Sequence, residues 1–237
     1  MRLAAACPGF YFSGHYFLTA MPGLALLNAL LLIALAAWVQ RFPGIQMLKV
    51  LPVCLFCVVA ADLLLRNATL WFEASPSRVG ASLYGRNPFA ESAEIAGYIH
   101  ARTNPDETIA VLGSEPQIYF LAHRRPASGY IYVYPLTEPQ PLALDMQKEF
   151  KSEIESARPK YVVYVNILSS WCSAVVPGET GKILEDFQNW WDQFSQNYQL
   201  VGVVDIEEGK PSEFFWDDQL SSRTNTAPAE VSVFRRK

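Results

Sequence analysis

Apolar positions follow two different rhythms along this chain. Up to about residue 66 they form long uninterrupted runs, and charge is nearly absent. Beyond about residue 87 they fall into short β-branched runs that alternate with helical stripes. Residues 17–39 hold no charge and are numerous enough to cross a bilayer as a helix. A second run, 48–65, has Lys49 at one end and Asp62 near the other. The pair predicts a transmembrane helical hairpin with a short loop at 40–47. A cleaved signal peptide is disfavoured, because the first run is long, lacks a compact basic lead and is followed by another.

In the polar part, Asn87-Pro88 opens a helix, with Asn87 as N-cap and Pro88 at its first position. Phe89, Ala93, Ala96 and Ile99 stripe it at helical spacing. Thr108–Leu112 reads as a buried strand, and Gly113 allows the turn after it. Ser114 with Gln117 three residues on has the form of a capping box. Glu115 then stands in the first helical turn, where the dipole favours negative charge, and Pro116 is tolerated there. Residues 130–134 read as another strand. Leu142, Met146, Phe150 and Ile154 stripe a helix, and 161–165 form a clear buried strand. Ile183, Leu184, Phe187, Trp190, Trp191 and Phe194 stripe a further helix, followed by strands at 200–206 and 231–234.

Strands alternating with helices predict a three-layer α/β domain with a mostly parallel sheet. The last two strands have no helix between them, which predicts an antiparallel edge hairpin. The expected fold is therefore two transmembrane α-helices followed by this α/β domain. The parts are a lead-in at 1–16, the hairpin at 17–66, a linker at 67–86 and the α/β domain at 87–237. The polar stretch 207–230 carries Phe214-Phe215-Trp216. These rings suit either a lip at a membrane surface or a cover for the core, and the core reading leads.

Charge narrows the function. The 237 residues carry a net charge of −4, which speaks against a nucleic-acid partner. Arg41 and Lys49 bias the 40–47 loop toward the cytoplasm, so both ends of a hairpin face outward and the α/β domain is extracytoplasmic. The four cysteines are too scattered for a disulfide scaffold, and Cys54 and Cys57 read as small packing residues.

Candidate chemistry is sparse. His15, His100 and His123 have no partners at metal-ligand spacing. Ser114 follows a glycine after a strand, but the nucleophile-elbow pattern is absent. Glu115 is the best-placed acid, at a strand end where α/β sites form, with dipole complementarity as the plainer account. Asp217-Asp218 reads as a solvated turn. Arg124-Arg125 suits phosphate, or the carbonyls at a helix end. No catalytic constellation assembles from these residues.

Two stretches add a resemblance. One is Ser13-Gly14-His15-Tyr16-Phe17-Leu18 leading to Pro22. The other includes Tyr84-Gly85-Arg86-Asn87-Pro88-Phe89, Gly113-Ser114-Glu115-Pro116-Gln117 and Arg124-Arg125-Pro126, and ends near Arg158-Pro159-Lys160-Tyr161. Together they resemble the C-terminal part of bacterial family 39 glycosyltransferases, which have the GT-C fold and include protein O-mannosyltransferase and aminoarabinose-transferase types. The resemblance implies transfer of a sugar from a polyprenyl-phosphate carrier on the extracytoplasmic side of the bacterial inner membrane. It places the catalytic acid in an early loop that has no counterpart here, so this chain holds no catalytic residue and is not expected to act as an enzyme alone. The divalent metal that such enzymes often use belongs to that loop as well, and no cofactor is expected here. Implied partners are the lipid bilayer, the lipid-linked sugar and an N-terminal membrane section. His15 and Tyr16 match the family at the outer membrane face, near lipid phosphate or sugar, with helix-end packing as the other account. With Glu115 they form the substrate-binding candidates. The alternative function is a free-standing membrane-anchored binding module.

Overall fold

The computed structural model describes residues 18–42, 44, 50–68, 71–72, 75, 79–80, 84–138, 140–171, 179–207, 210–224, 227 and 229–237, with backbone only at 179–184. The chain divides into two compact units, Met1–Ala74 and Ser75–Lys237.

The first unit holds helices α1 (Met21–Val39) and α2 (Leu51–Arg66). With its leading turn, α1 spans Leu18–Val39, 22 residues, and is long and apolar enough to cross a membrane. No residue of α1 or α2 is buried by protein. The expected hairpin of two transmembrane helices is not found: α1 alone qualifies among the described residues. The reason is length. The 16 residues of α2 rise roughly 24 Å, short of a hydrocarbon core of about 30 Å. Its last turn is also charged, with Arg66 Nε donating to Asp62 Oδ2 at 2.7 Å.

In the second unit a six-stranded sheet is built from β1 (Thr108–Leu112), β2 (Arg125–Pro126), β3 (Tyr161–Asn166), β4 (Tyr198–Ile206), β5 (Glu213–Trp216) and β6 (Ala229–Arg236). The order is β2-β1-β3-β6-β4-β5. Only β1 with β2 and β1 with β3 pair in parallel. The β3–β6, β6–β4 and β4–β5 pairs are antiparallel. The sheet is thus mixed, not mostly parallel. The expected edge hairpin is corrected too: β6 lies in the middle of the sheet, between β3 and β4, and β5 takes the edge. Residues 207–230, read as a polar loop, supply that edge strand.

Helices cover both faces, as the period of the strands requires. Along β1, Ile109 and Val111 enter one core and Ala110 and Leu112 the other. The first core is closed by Ile95 and Ile99 of α3 (Glu91–His100) and Ile118 of α4 (Gln117–Ala122). The second is closed by Phe150 and Ile154 of α6 (Ala143–Ala157) and by Phe187 and Trp191 of α7 (Glu179–Phe194). The short α5 (Tyr134–Thr137) precedes α6. The expected strand at 130–134 is absent, because those residues lead into α5 and Val133 anchors it in the core.

Helix α3 starts after the expected position. Ala90 is its N-cap; Ala96 and Ile99 of the expected stripe are buried, joined by Ser92, Ile95 and Tyr98, and Phe89 and Ala93 are exposed. The rings of β5 cover the core. Trp216 stacks on Tyr98 at 4.1 Å, and the Arg102 guanidinium lies 3.8 Å over the other ring of that pair, Tyr98. Gly202 makes room for this: a Cβ there would stand 2.2 Å from the Trp216 ring. Tyr98 Oη donates to Asp217 Oδ1 at 2.9 Å, so Asp217 is not a free solvated turn residue.

Arg124 joins two helix ends. It is 7% exposed and has no carboxylate partner among the described residues. All five of its N–H groups donate to oxygen. Nε reaches Thr103 Oγ1 at 2.7 Å, and Nη1 reaches the Ala122 and His123 carbonyls at 3.3 and 2.9 Å. Nη2 reaches the His100 and Thr103 carbonyls at 3.1 and 2.5 Å. The orphan carbonyls at the ends of α3 and α4 are thereby satisfied together, which is the helix-end role, not the phosphate role. Arg125 is exposed, in β2.

Candidate functional site

Strand β1 is where the sheet reverses. From it the chain moves to β2 on one side through α4, then returns to β3 on the other side through α5 and α6. The two connections lie on opposite faces, so the carboxyl ends of β1 and β3 are the place where an open α/β sheet has its ligand crevice. One wall is 113–116; the other is the 3-10 turn Leu168–Trp171.

These walls are stitched by hydrogen bonds. The Ser114 N–H donates to Ser170 Oγ at 2.8 Å, and Ser114 Oγ donates to the Ser170 carbonyl at 2.7 Å. Ser170 Oγ donates in turn to Glu115 Oε2 at 2.8 Å. Gly113 permits the close approach: a Cβ on it would stand 2.3 Å from Glu115 Oε2 and 2.7 Å from Val165 Cγ2. Gly113→Ala is therefore expected to cost about 1–3 kcal/mol, as overpacking does, read as a lower urea midpoint. An unchanged midpoint would show that the loop shifts freely.

The second wall is fixed from three more directions. Ser169 Oγ donates to Asn87 Oδ1 at 2.7 Å, and Tyr134 Oη donates to the Ser169 carbonyl. Thr137 Oγ1 donates to the Trp171 carbonyl at 2.7 Å, and Trp171 Nε1 to the Val165 carbonyl at 2.6 Å. Asn87, Ser114, Tyr134 and Ser169 are each half-buried, so a polar seam is open to solvent along the crevice.

Glu115 is 5% exposed. Burial drives its carboxyl up to about 7 from 4.5, against the lowering effect of the bonds from Ser170 and the Ser114 backbone. It thus carries a labile proton near neutral pH but is closed to a ligand, and its placement is that of a latch between the two loops. The capping box is not formed. Pro116 is the N-cap of α4, with no side-chain cap bond. Ser114 is taken up by Ser170, and Gln117 Nε2 donates to Ser92 Oγ at 3.0 Å.

The other candidates lie apart. His15 and Tyr16 fall outside the described residues. His100 Nδ1 stands 2.9 Å from the Ala122 carbonyl, and the His100 and His123 rings meet at 5.7 Å, beside Arg124 at the far end of the unit. Among the described residues no three His, Cys, Asp or Glu side chains gather as a metal centre requires. Cys54 and Cys57 are free thiols exposed on α2.

A wider recess of about 640 Å³ opens beside Glu155, Arg158, Trp190, Phe194 and Arg236. Some of its polar groups bond one another: Arg236 donates to the Arg158 carbonyl and Trp190 Nε1 to Glu155 Oε1. It also lies at the amino end of β3, away from the reversal. A smaller recess, about 230 Å³, lies beside Asp205. There Arg223 holds Asp205 through two bonds of 2.8 and 2.7 Å and Glu230 through one of 2.7 Å. That triad ties the β4 and β6 ends, and its acids are neutralised by Arg223. The crevice is the better site.

Ser169, Ser170 and Tyr134 were not site candidates in the sequence. Asn87 was read there only as a cap. The signal for Ser170 was absent, since its partners are 55 and 56 residues away. No protein-family model, no curated protein and no solved structure matches this chain.

Proposed function

We propose that this chain is a membrane-anchored binding section whose ligand site is the crevice beside Ser169. Following the resemblance, it serves as the C-terminal section of a glycosyltransferase that uses a polyprenyl-phosphate sugar on the extracytoplasmic side. The observation that carries this reading is the half-buried seam of Asn87, Ser114, Ser169 and Tyr134 at the reversal of the sheet. The Ser114, Tyr134 and Ser169 hydroxyls spend their protons within the seam and offer a ligand their acceptor lone pairs, which suits the donating hydroxyls of a sugar or glycan. The seam pairs no nucleophile with a base, so the bond-making acid belongs to another section, and this one holds and orients the ligand.

The outer placement rests on the resemblance. With one span, Arg41 and Lys49 on its carboxyl side pull the following chain toward the cytoplasm. Protease added to intact cells decides the side: cleavage within 207–230 supports the proposal, and protection overturns its placement. Ligand use is tested with the full chain in nanodiscs and a radiolabelled polyprenyl-phosphate hexose. Saturable binding is expected, weakened about tenfold by Asn87→Ala with Ser169→Ala, and no transfer to acceptor. Turnover by the chain alone, or no saturable binding, would sink the reading. The second reading, a free-standing anchored module for a ligand without a lipid carrier, draws on the seam's lack of any acid open to solvent.

A further inference from the structure

We infer that the recess beside Arg158 and Arg236 is a second binding site, and that it takes a small anionic saccharide, a sugar carrying phosphate or carboxylate. Its volume is about 640 Å³. Arg158, Arg236 and Lys237 line it, against one carboxylate side chain, Glu155. None of these three cations forms an ion pair with a carboxylate among the described residues, whereas Arg102, Lys151, Lys160 and Arg223 each do. Charge of one sign lining a concave surface focuses its field and draws a counter-ion.

The backbone brings these cations together from separate elements. Arg158 caps α6 in the left-handed region, with φ 46°. Arg236 ends β6 opposite Tyr198 of β4, and its N–H donates to the Lys160 carbonyl at 3.0 Å. The Lys237 N–H donates to the Asn197 carbonyl at 3.1 Å, and its Nζ to the Gln196 carbonyl at 2.6 Å. Arg236 Nη1 reaches the Arg158 carbonyl, which holds the two arginines side by side. The Arg158 guanidinium donates to no acceptor among the described residues, and Arg236 keeps donors beyond Nη1. Such forks suit phosphate or carboxylate. Trp190 and Phe194, one turn apart on α7, line the same recess and stack at 5.0 Å. Trp190 is fixed by its bond to Glu155 Oε1 at 2.7 Å. A flat aromatic surface beside polar groups suits the apolar face of a sugar ring. Gln193 and Gln196 add amides, which donate and accept as sugar hydroxyls do. The crevice seam, by contrast, is uncharged, and this site does not depend on what the crevice takes.

The test is calorimetric titration of the full chain in phosphatidylcholine nanodiscs at low salt, with glucose 6-phosphate, glucuronate, glucose, inorganic phosphate and adenylate as probes. At least one charged sugar should bind about tenfold or more tighter than glucose, inorganic phosphate or adenylate. Which charged sugar binds tells phosphate from carboxylate. Arg158→Asn with Arg236→Gln should weaken that binding about tenfold or more, the effect of losing one or two charge-assisted bonds. Both positions are exposed, and asparagine tolerates the left-handed backbone at 158, so the fold should hold, as an unchanged urea midpoint would show. Lys237→Gln, a milder change, should weaken binding in the same direction. Asn87→Ala with Ser169→Ala should leave it unchanged, which separates this site from the crevice. Glucose, inorganic phosphate or adenylate binding as tightly as the charged sugars overturns the proposal. So does no binding, or binding that the arginine and lysine variants leave intact.

Discussion

Replacing Arg124 by alanine is expected to lower the stability of the α/β unit by about 3–5 kcal/mol, since several buried carbonyls lose their donor at about 1–3 kcal/mol each. Arg124 is 7% exposed, and its five donors end on oxygens of Thr103, His100, Ala122 and His123. Charge-assisted bonds contribute about 1.5–3 kcal/mol each in isolation. They are not additive, because the guanidinium gave up its hydration to make them. The larger part of the loss is what remains behind: the His100, Thr103 and His123 carbonyls lose the donor that held them, while the Ala122 carbonyl keeps His100 Nδ1 beside it. Lysine should rescue little, since a point charge cannot address carbonyls on two helices with a planar fork. Urea unfolding followed by tryptophan fluorescence reads this unit well, because Trp171, Trp190, Trp191 and Trp216 lie in it, four of the six. A loss below about 1 kcal/mol in Arg124→Ala would mean that water replaces the guanidinium freely.

Stability should also fall as pH rises from 5 to 8.5, and Glu115→Gln should abolish that fall. Burial raises the Glu115 carboxyl from 4.5 to about 7. A carboxyl whose pKa rises on folding binds its proton more tightly in the native chain than in the unfolded one. Its favourable contribution is complete below about pH 4.5 and is lost as pH rises through about 7. The shift corresponds to roughly 3 kcal/mol across that window. Glutamine stays neutral throughout and still accepts from Ser170 Oγ, at the cost of one amide N–H pair to satisfy, about 1 kcal/mol. The variant should therefore match or fall slightly below the wild type at pH 5 and exceed it by about 2 kcal/mol at pH 8.5. Parallel pH profiles for the two proteins would show that Glu115 is ionised in the native state throughout.

What the sequence showed, and what it hid, follows the range of the interactions. Thr108–Leu112 and 161–165 were legible because both faces of a central strand are buried, and a run such as Tyr161-Val162-Val163-Tyr164-Val165 suits little else. The α6 and α7 stripes were legible in their later turns, where Phe150, Ile154, Phe187 and Trp191 are buried, but Leu142 is exposed and Ala143 and Gln147 are buried at the start of α6. Boundaries failed where a distant group competed. Ser114 has the local chemistry of a cap, yet Ser170 captures both its N–H and its hydroxyl. Asn87 likewise accepts from Ser169 in place of capping α3. Aromatic content at 130–134 suggested a strand, but those rings line a connection. The second membrane helix failed on arithmetic, since its helical part ends well short of a bilayer. Glu115 was found as the acid at the strand end, but its burial was not: that depends on a turn 55 residues away.

The central position of β6 has a consequence for how the protein is made. Synthesis delivers β3 and β4 long before Ala229–Arg236, the strand that bonds to both. Until then each has an open backbone edge, and one core lacks Val231 and Val233. The β2-β1-β3 and β4–β5 parts can pair as the nascent chain emerges, but they join into one sheet only when β6 arrives. Over that interval the unpaired strands are open to pairing with other chains. A chaperone that shields strand edges is therefore useful during elongation, and a stop codon at residue 229, which removes these eight residues and Lys237, would separate the sheet into two halves.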